Sequence, residues 1–320
     1  MWGGLPSYLL SASVLLAPYG SALRLTSGRA VANETSLPWT GDAERRPAKP
    51  RVTWNATEPI ALLNLQPQGH PHHHSHGKKH TWLFGAHHKS GTILLHRLAL
   101  ILGRVLEQPV CSVAGLQGPC GSFGSSCWQA AGARLWFDCR LSGASLERAR
   151  SAAGGALRAV HIVRDPMGLV LSGYVYHMRG GDGPHTAVLR RSSLADGLAL
   201  EAQTALEGPL REMLTAYQEG AKGGDALVVR LEEFTNSSTA FDAAVERVYR
   251  YAVGDLVDER TFKGLVKSAA AEDLLRHPTS DHSTSFSHPE LKRQAALAFE
   301  SLPEDILKRI SDYRKALGYA

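Results

Sequence analysis

A lysine, two hydroxyl residues and a glycine occupy four consecutive positions, Lys89-Ser90-Gly91-Thr92, between the apolar run Trp82-Leu83-Phe84-Gly85-Ala86 and a second run opening with Ile93-Leu94-Leu95. That order reads as strand, loop, helix. Such a turn aims backbone N–H groups and the positive end of a helix dipole at one spot, which suits a phosphate or sulfate group. The chemistry implied is the binding of an anionic nucleotide. The loop is not of the Walker type, where the lysine follows the second glycine and the hydroxyl beside it holds magnesium; here Lys89 precedes Gly91. The anion cradle is kept and the usual metal position is lost, so metal-free chemistry on a phosphate-like group is expected, with no metal ligands.

A second segment has the same build. Ala159-Val160-His161-Ile162-Val163 is a short apolar strand, followed by Arg164-Asp165-Pro166 and then helical spacing from Met167 to Met178. Asp165 suits an N-cap and Pro166 the first helical position. Arg164 would then emerge at the carboxyl end of its strand, where open α/β sheets bind ligands, with Ser172 on the second turn of the helix behind it. Two more groups able to grip a phosphate thus fall on the same edge as the first loop.

Together these residues resemble the sulfotransferases that use 3′-phosphoadenosine 5′-phosphosulfate (PAPS). That family's 5′-phosphosulfate loop commonly reads Lys-Ser/Thr-Gly-Thr after a strand, matched by Lys89-Ser90-Gly91-Thr92, and its 3′-phosphate motif has an Arg at a strand end and a Ser eight residues on, matched by Arg164 and Ser172. The resemblance covers residues 80–320. It implies that Lys89 neutralises charge on the bridging oxygen and that the N–H groups of Ser90, Gly91 and Thr92 hold the 5′-phosphate, while Arg164 and Ser172 hold the 3′-phosphate. It also implies that no metal ion is required and that a base takes the acceptor's proton. Branches of the superfamily use His or a carboxylate near the end of a strand between the two motifs, which makes Asp138 the first candidate and His88 the second. On strand alternation His87 faces the other way. His177 reads as a packing or surface residue.

The elements that must position these groups alternate. Strands are expected over 81–87, 134–138, 157–163 and 226–231. Helices are expected over 92–106, 166–178, 194–218 with a break at Gly208-Pro209, 239–252, and along the tail 289–317. Apolar strands separated by helical patterns predict an α/β fold of three layers, a central parallel sheet with helices on both faces and a P-loop-like phosphate loop. The Gly-rich stretch 115–132 and the polar loop 180–191 are candidates for an acceptor pocket.

Composition bounds the rest. With 43% hydrophobic and 20% charged residues the 320-residue chain can bury a sizeable core, and 35 basic against 30 acidic residues leave only +5, too little to argue for nucleic acid as a partner. The apolar run Tyr8 to Ala17, followed by Gly20-Ser21-Ala22, reads as a signal peptide or a membrane anchor within residues 1–25. Residues 26–79 are Pro-rich and read as a stem, and residues 80–320 as the catalytic domain. Asn33-Glu34-Thr35, Asn55-Ala56-Thr57 and Asn236-Ser237-Ser238 fit the glycosylation pattern. Cys111, Cys120, Cys127 and Cys139 suit two disulfides better than a zinc site, since no Cys-x-x-Cys spacing occurs. These features agree on the secretory pathway, a Golgi lumen or secretion, and hence on a glycan or secreted small molecule as acceptor.

Two other functions fit parts of the chain. A P-loop kinase or nucleotide hydrolase would use Asp165 as its magnesium partner. A secreted, non-catalytic metal-binding protein would be built on the His tract from His70 to His80 and the cysteines.

Overall fold

The structure, a computed structural model, describes residues 80–112, 134–179, 184–278 and 288–319. The leader, the stem, most of the His tract, Asn33, Asn55, Cys120, Cys127 and the Gly-rich stretch lie outside the described residues. Five strands form one parallel sheet: β1 (Thr81–Gly85), β2 (Val110–Ser112), β3 (Leu135–Asp138), β4 (Leu157–Val163) and β5 (Ala226–Arg230), in the order β2-β3-β1-β4-β5. The connections are helical: α1 (Thr92–Val105) after β1, α2 (Gly143–Ala153) after β3, and α3 (Pro166–Arg179) after β4. Then come α4 (Pro184–Leu189), α5 (Leu194–Glu207) and α6 (Pro209–Gly223), with α7 (Leu231–Thr235), α8 (Ser238–Val253) and α9 (Glu259–Ala269) following β5. Two tail helices, α10 (Pro289–Phe299) and α11 (Glu304–Ala316), end the described chain.

Period-two alternation along the strands divides the core. Trp82 and Phe84 of β1, Leu135 and Phe137 of β3, and Val160 and Ile162 of β4 pack with α1, α8 and α9. Leu83, Trp136 and Ala159 face the opposite side, against Leu146 and Ala149 of α2 and Ala216 of α6. Val163 joins α3, α5, α6 and the two tail helices in a third cluster. Trp82 pins β1 to the α8 side by donating from Nε1 to the Ala252 carbonyl at 2.9 Å. The result is the three-layer α/β architecture with helices on both faces.

β1 and β4 are neighbours, with Gly85 opposite His161. The helix leaving β1 covers one face and the helix leaving β4 the other, so a crevice opens between their carboxyl ends, where such sheets bind ligands. The break at Gly208-Pro209 separates α5 from α6. The tail, expected to be helical, forms two helices: Pro303 lacks a donor and biases Leu302 away from helical backbone. The expected loop 180–191 holds α4, whereas 180–183 lie outside the described residues. Cys111 and Cys139 are buried and neither is a free thiol. Among the described residues no helix is long and apolar enough to cross a membrane. Asn236 is exposed at the end of α7.

Candidate functional site

The loop between β1 and α1 is tied around one carbonyl. His87 O accepts from the Ser90 N–H at 3.1 Å, from Ser90 Oγ at 3.0 Å and from Thr92 Oγ1 at 2.6 Å, while Ser90 Oγ accepts the His87 N–H at 2.8 Å. The Ser90 N–H, expected on a phosphate, holds the loop in shape here, as do the hydroxyls of Ser90 and Thr92. Closing so tight a loop puts Lys89 at φ 62° and Gly91 at φ 103°, both left-handed. Gly91 tolerates this because it has no Cβ, and one built there would lie 2.8 Å from Ile162 and 2.9 Å from Leu231. Gly91 precedes α1 with no side-chain cap, so the helix start keeps backbone donors aimed outward beside Lys89. Beneath the loop the His87 ring is fully buried, its Nε2 2.8 Å from Nε2 of His161 on β4.

The second motif meets the first directly. Asp165 Oδ1 accepts the Met167 N–H at 3.1 Å, capping α3 as its sequence predicts, and Arg164 Nη1 donates to the Lys89 carbonyl at 2.7 Å. The Arg164 guanidinium lies over Gly168, where an added Cβ would sit 3.3 Å from Nε. Gly168, Ser172 and Tyr176 recur every fourth residue on one face of α3. At the far end of that face Lys89 Nζ stands 4.1 Å from the centre of the Tyr176 ring, a cation–π contact. The rise per residue puts Gly168 and Tyr176 about 12 Å apart along the helix. Arg164 and Lys89 therefore mark two ends of one face, with Ser172, buried, between them.

Like charges crowd this rim. Burial, then the nearby Arg164, lowers Lys89 to about 8, with Glu201 opposing. Burial also holds Arg164 below its ordinary value against the pull of Glu232, Tyr319 and Asp165. Lys292 of α10 is lowered by burial and then by Arg164. The acids near Arg164 are engaged with other groups: Glu232 accepts from the Asp165 N–H and from Tyr319 Oη, each at 3.0 Å. An anion with charge at two points would relieve this cationic strain, so the residues present fit such a ligand.

Of the candidate bases, Asp138 is buried at the end of β3 and its Oδ1 accepts the Arg140 N–H at 2.9 Å, a turn contact. Burial pushes its pKa up, which that bond counteracts. His88 lies beside Lys89, 5.5 Å from the Tyr176 ring and stacked at 5.1 Å on His177. Burial, then His177 and Lys89, lowers it to about 4, so it is a neutral imidazole. The reading of His177 as packing or surface misses what it does: its Nδ1 is 2.9 Å from Glu201 Oε2, and His185 Nε2 is 2.8 Å from the same oxygen. These three residues sit on three helices, and no short motif joins them. One signal was present in the sequence: Glu201 falls in the apolar stripe Leu198, Ala202, Ala205 of α5, and a carboxylate there requires buried partners.

No protein-family model matches this chain, and no curated protein matches it either. Among solved structures it is similar to the crystal structure of mouse sulfotransferase SULT7A1 complexed with PAP, at 11% sequence identity and a TM-score of 0.43, over 76% of this chain and 86% of that one.

Proposed function

We propose that this chain is a sulfotransferase that moves a sulfuryl group from PAPS to a hydroxyl or amine of a glycan or secreted small molecule. The observation that carries the reading is the 2.7 Å bond from Arg164 to the Lys89 carbonyl, which joins the two phosphate motifs at one rim. In an in-line displacement the acceptor oxygen attacks sulfur while the bond from sulfur to the bridging oxygen breaks. Charge grows on that oxygen, and adenosine 3′,5′-bisphosphate leaves. Lys89 and the start of α1 are suited to that charge, and Arg164 to the 3′-phosphate. For the acceptor's proton, His88 is better placed than Asp138, because it is neutral and adjoins Lys89, whereas Asp138 serves a turn. An anionic donor beside His88 would raise its pKa toward a useful range. The site for an acceptor in the secretory pathway is proposed on the same rim.

Purified full-length protein should transfer label from PAPS to members of an oligosaccharide panel. Lys89→Ala should lower turnover by about 10²–10³, the scale of losing one charge-stabilising group. Arg164→Ala should weaken donor binding by about 10- to 100-fold, as expected for a charge-assisted bond. Equal transfer by all three proteins would sink the site assignment, and magnesium-dependent ATP hydrolysis in place of transfer would sink the reaction.

A further inference from the structure

Glu201 is 3% exposed, yet it is held by two imidazoles from separate helices, His177 on α3 and His185 on α4. Nδ1 of His177, Nε2 of His185 and a carboxylate oxygen of Glu201 all lie within 4.8 Å of one another. Gly173 makes the approach feasible, because a Cβ at that position would collide with the Glu201 carboxylate. Beside this cluster His88, stacked on His177 with 15° between the ring planes, has its Nε2 buried without a hydrogen-bond partner.

We propose that His177, His185 and Glu201 form a site for one divalent transition-metal ion, zinc above others, next to the anion-binding rim. Two imidazoles and a carboxylate are the donor set of zinc centres that keep a position open, whereas magnesium and calcium take oxygen donors. Zinc bonds of about 2.0–2.2 Å in a tetrahedron set the donors roughly 3.3–3.5 Å apart. The contacts now at 2.8 and 2.9 Å would open slightly, and the separation of the two ring nitrogens would close to match. Each imidazole gives up the N–H it now donates to Glu201, by shifting the proton to its other nitrogen or releasing it to solvent. The carboxylate cancels one of the ion's two charges, leaving a net cation where the rim already gathers Lys89 and Arg164. The inference does not rest on sulfuryl transfer, and it departs from the metal-free expectation drawn from the sequence.

The test uses the full chain with His72, His73, His74 and His76 replaced by Gln, so that the N-terminal tract does not supply the signal. Titration with Co(II), followed by its visible d–d bands, and with Zn(II), followed by calorimetry, should give one site per chain. Glu201→Gln and His185→Ala should each weaken it by at least 100-fold while circular dichroism stays that of the parent. Zn(II) should raise the parent's melting temperature and leave those of both variants unchanged. Metal binding that is abolished by the tract substitutions, or that survives in the folded His185→Ala variant, would overturn the proposal. Neither readout depends on transferase activity, so failure here and failure of the proposed reaction are separable.

Discussion

Acid should loosen this fold at a place that can be named. His87 and His161 are buried to 0% and 1% exposure with their Nε2 atoms 2.8 Å apart, so one ring donates and the other accepts, and neither can take a further proton without breaking that bond or charging the interior. Burial holds His161 at about 3, and burial with the neighbouring His161 holds His87 well below its ordinary value. In the unfolded chain both titrate near about 6.5. Below that pH the unfolded state takes up protons that the native state refuses, so stability is full above about 6.5 and is lost as pH falls toward the folded values. The limiting slope is about 1.4 kcal/mol per pH unit for each residue, and from about pH 7 to pH 4.5 His161 alone contributes a loss of about 2.5 kcal/mol. Against a typical net stability of about 5–15 kcal/mol that is a measurable share. His161→Gln removes the titrating group, and its amide reaches roughly where Nε2 was, keeping a partner for His87. Urea unfolding at about pH 7 and about pH 4.5 should show the variant gaining some 2.5 kcal/mol on wild type between the two conditions, whatever the substitution costs at neutral pH. The other depressed histidines, His88, His96 and His288, titrate alike in both proteins and cancel. A stability difference that is the same at both pH values would refute the reasoning.

Gly91→Ala should cost about 1–3 kcal/mol in thermal unfolding, because φ 103° is strained for alanine and its methyl would press on Ile162 and Leu231. Gly173→Ala should cost a similar amount, about 1–3 kcal/mol, by pushing the Glu201 carboxylate away, and a double-mutant cycle with Glu201→Ala should remove most of that penalty. Adenosine 3′,5′-bisphosphate should bind less tightly as pH rises past about 8, since Lys89 loses its proton there in the unliganded protein, and Lys89→Arg should move that fall to higher pH. Asp138→Asn keeps an acceptor for the Arg140 N–H and should leave transfer within a few-fold, whereas His88→Gln should lower turnover much more; the reverse ranking would restore Asp138 as the base.

Much of the layout was legible because the strands carry their own evidence. β4 was read at its observed bounds, since a run of apolar residues ending at Arg-Asp-Pro has both a sheet signal and a helix start, and α3 begins at Pro166 as the cap rules require. β2 went unread: three residues on the edge leave too short a pattern. α2 was missed because its stripe is narrow, Leu146 and Ala149 among arginines and serines. α9 was readable in principle, with Asp258 accepting the Thr261 N–H and Phe262, Leu265 and Ala269 on one face. At the site, sequence reasoning named the groups that follow one another along the chain. It missed His177, His185 and Glu201 because their proximity is tertiary, created where α3, α4 and α5 pack. It gave the backbone N–H groups of Ser90, Gly91 and Thr92 to a phosphate and did not foresee that the hydroxyls of Ser90 and Thr92 hold the loop's own carbonyl.

The contact between Arg164 and the Lys89 carbonyl has a cause in the topology. β1 and β4 lie side by side and in parallel, so whatever follows Gly85 and whatever follows Val163 emerge together at one end of the sheet. Because α1 turns to one face and α3 to the other, neither helix blocks the space between, and the two connections are left facing each other. A left-handed Lys89 then turns its carbonyl toward Arg164, while its side chain reaches α3 at Tyr176. The rim is thus bridged twice to α3, by Arg164 over Gly168 and by Lys89 over Tyr176. An anion that drew either cation toward itself would have to break one of these bridges. Binding of such an anion would therefore be coupled to the orientation of the loop on α3 through the same two side chains.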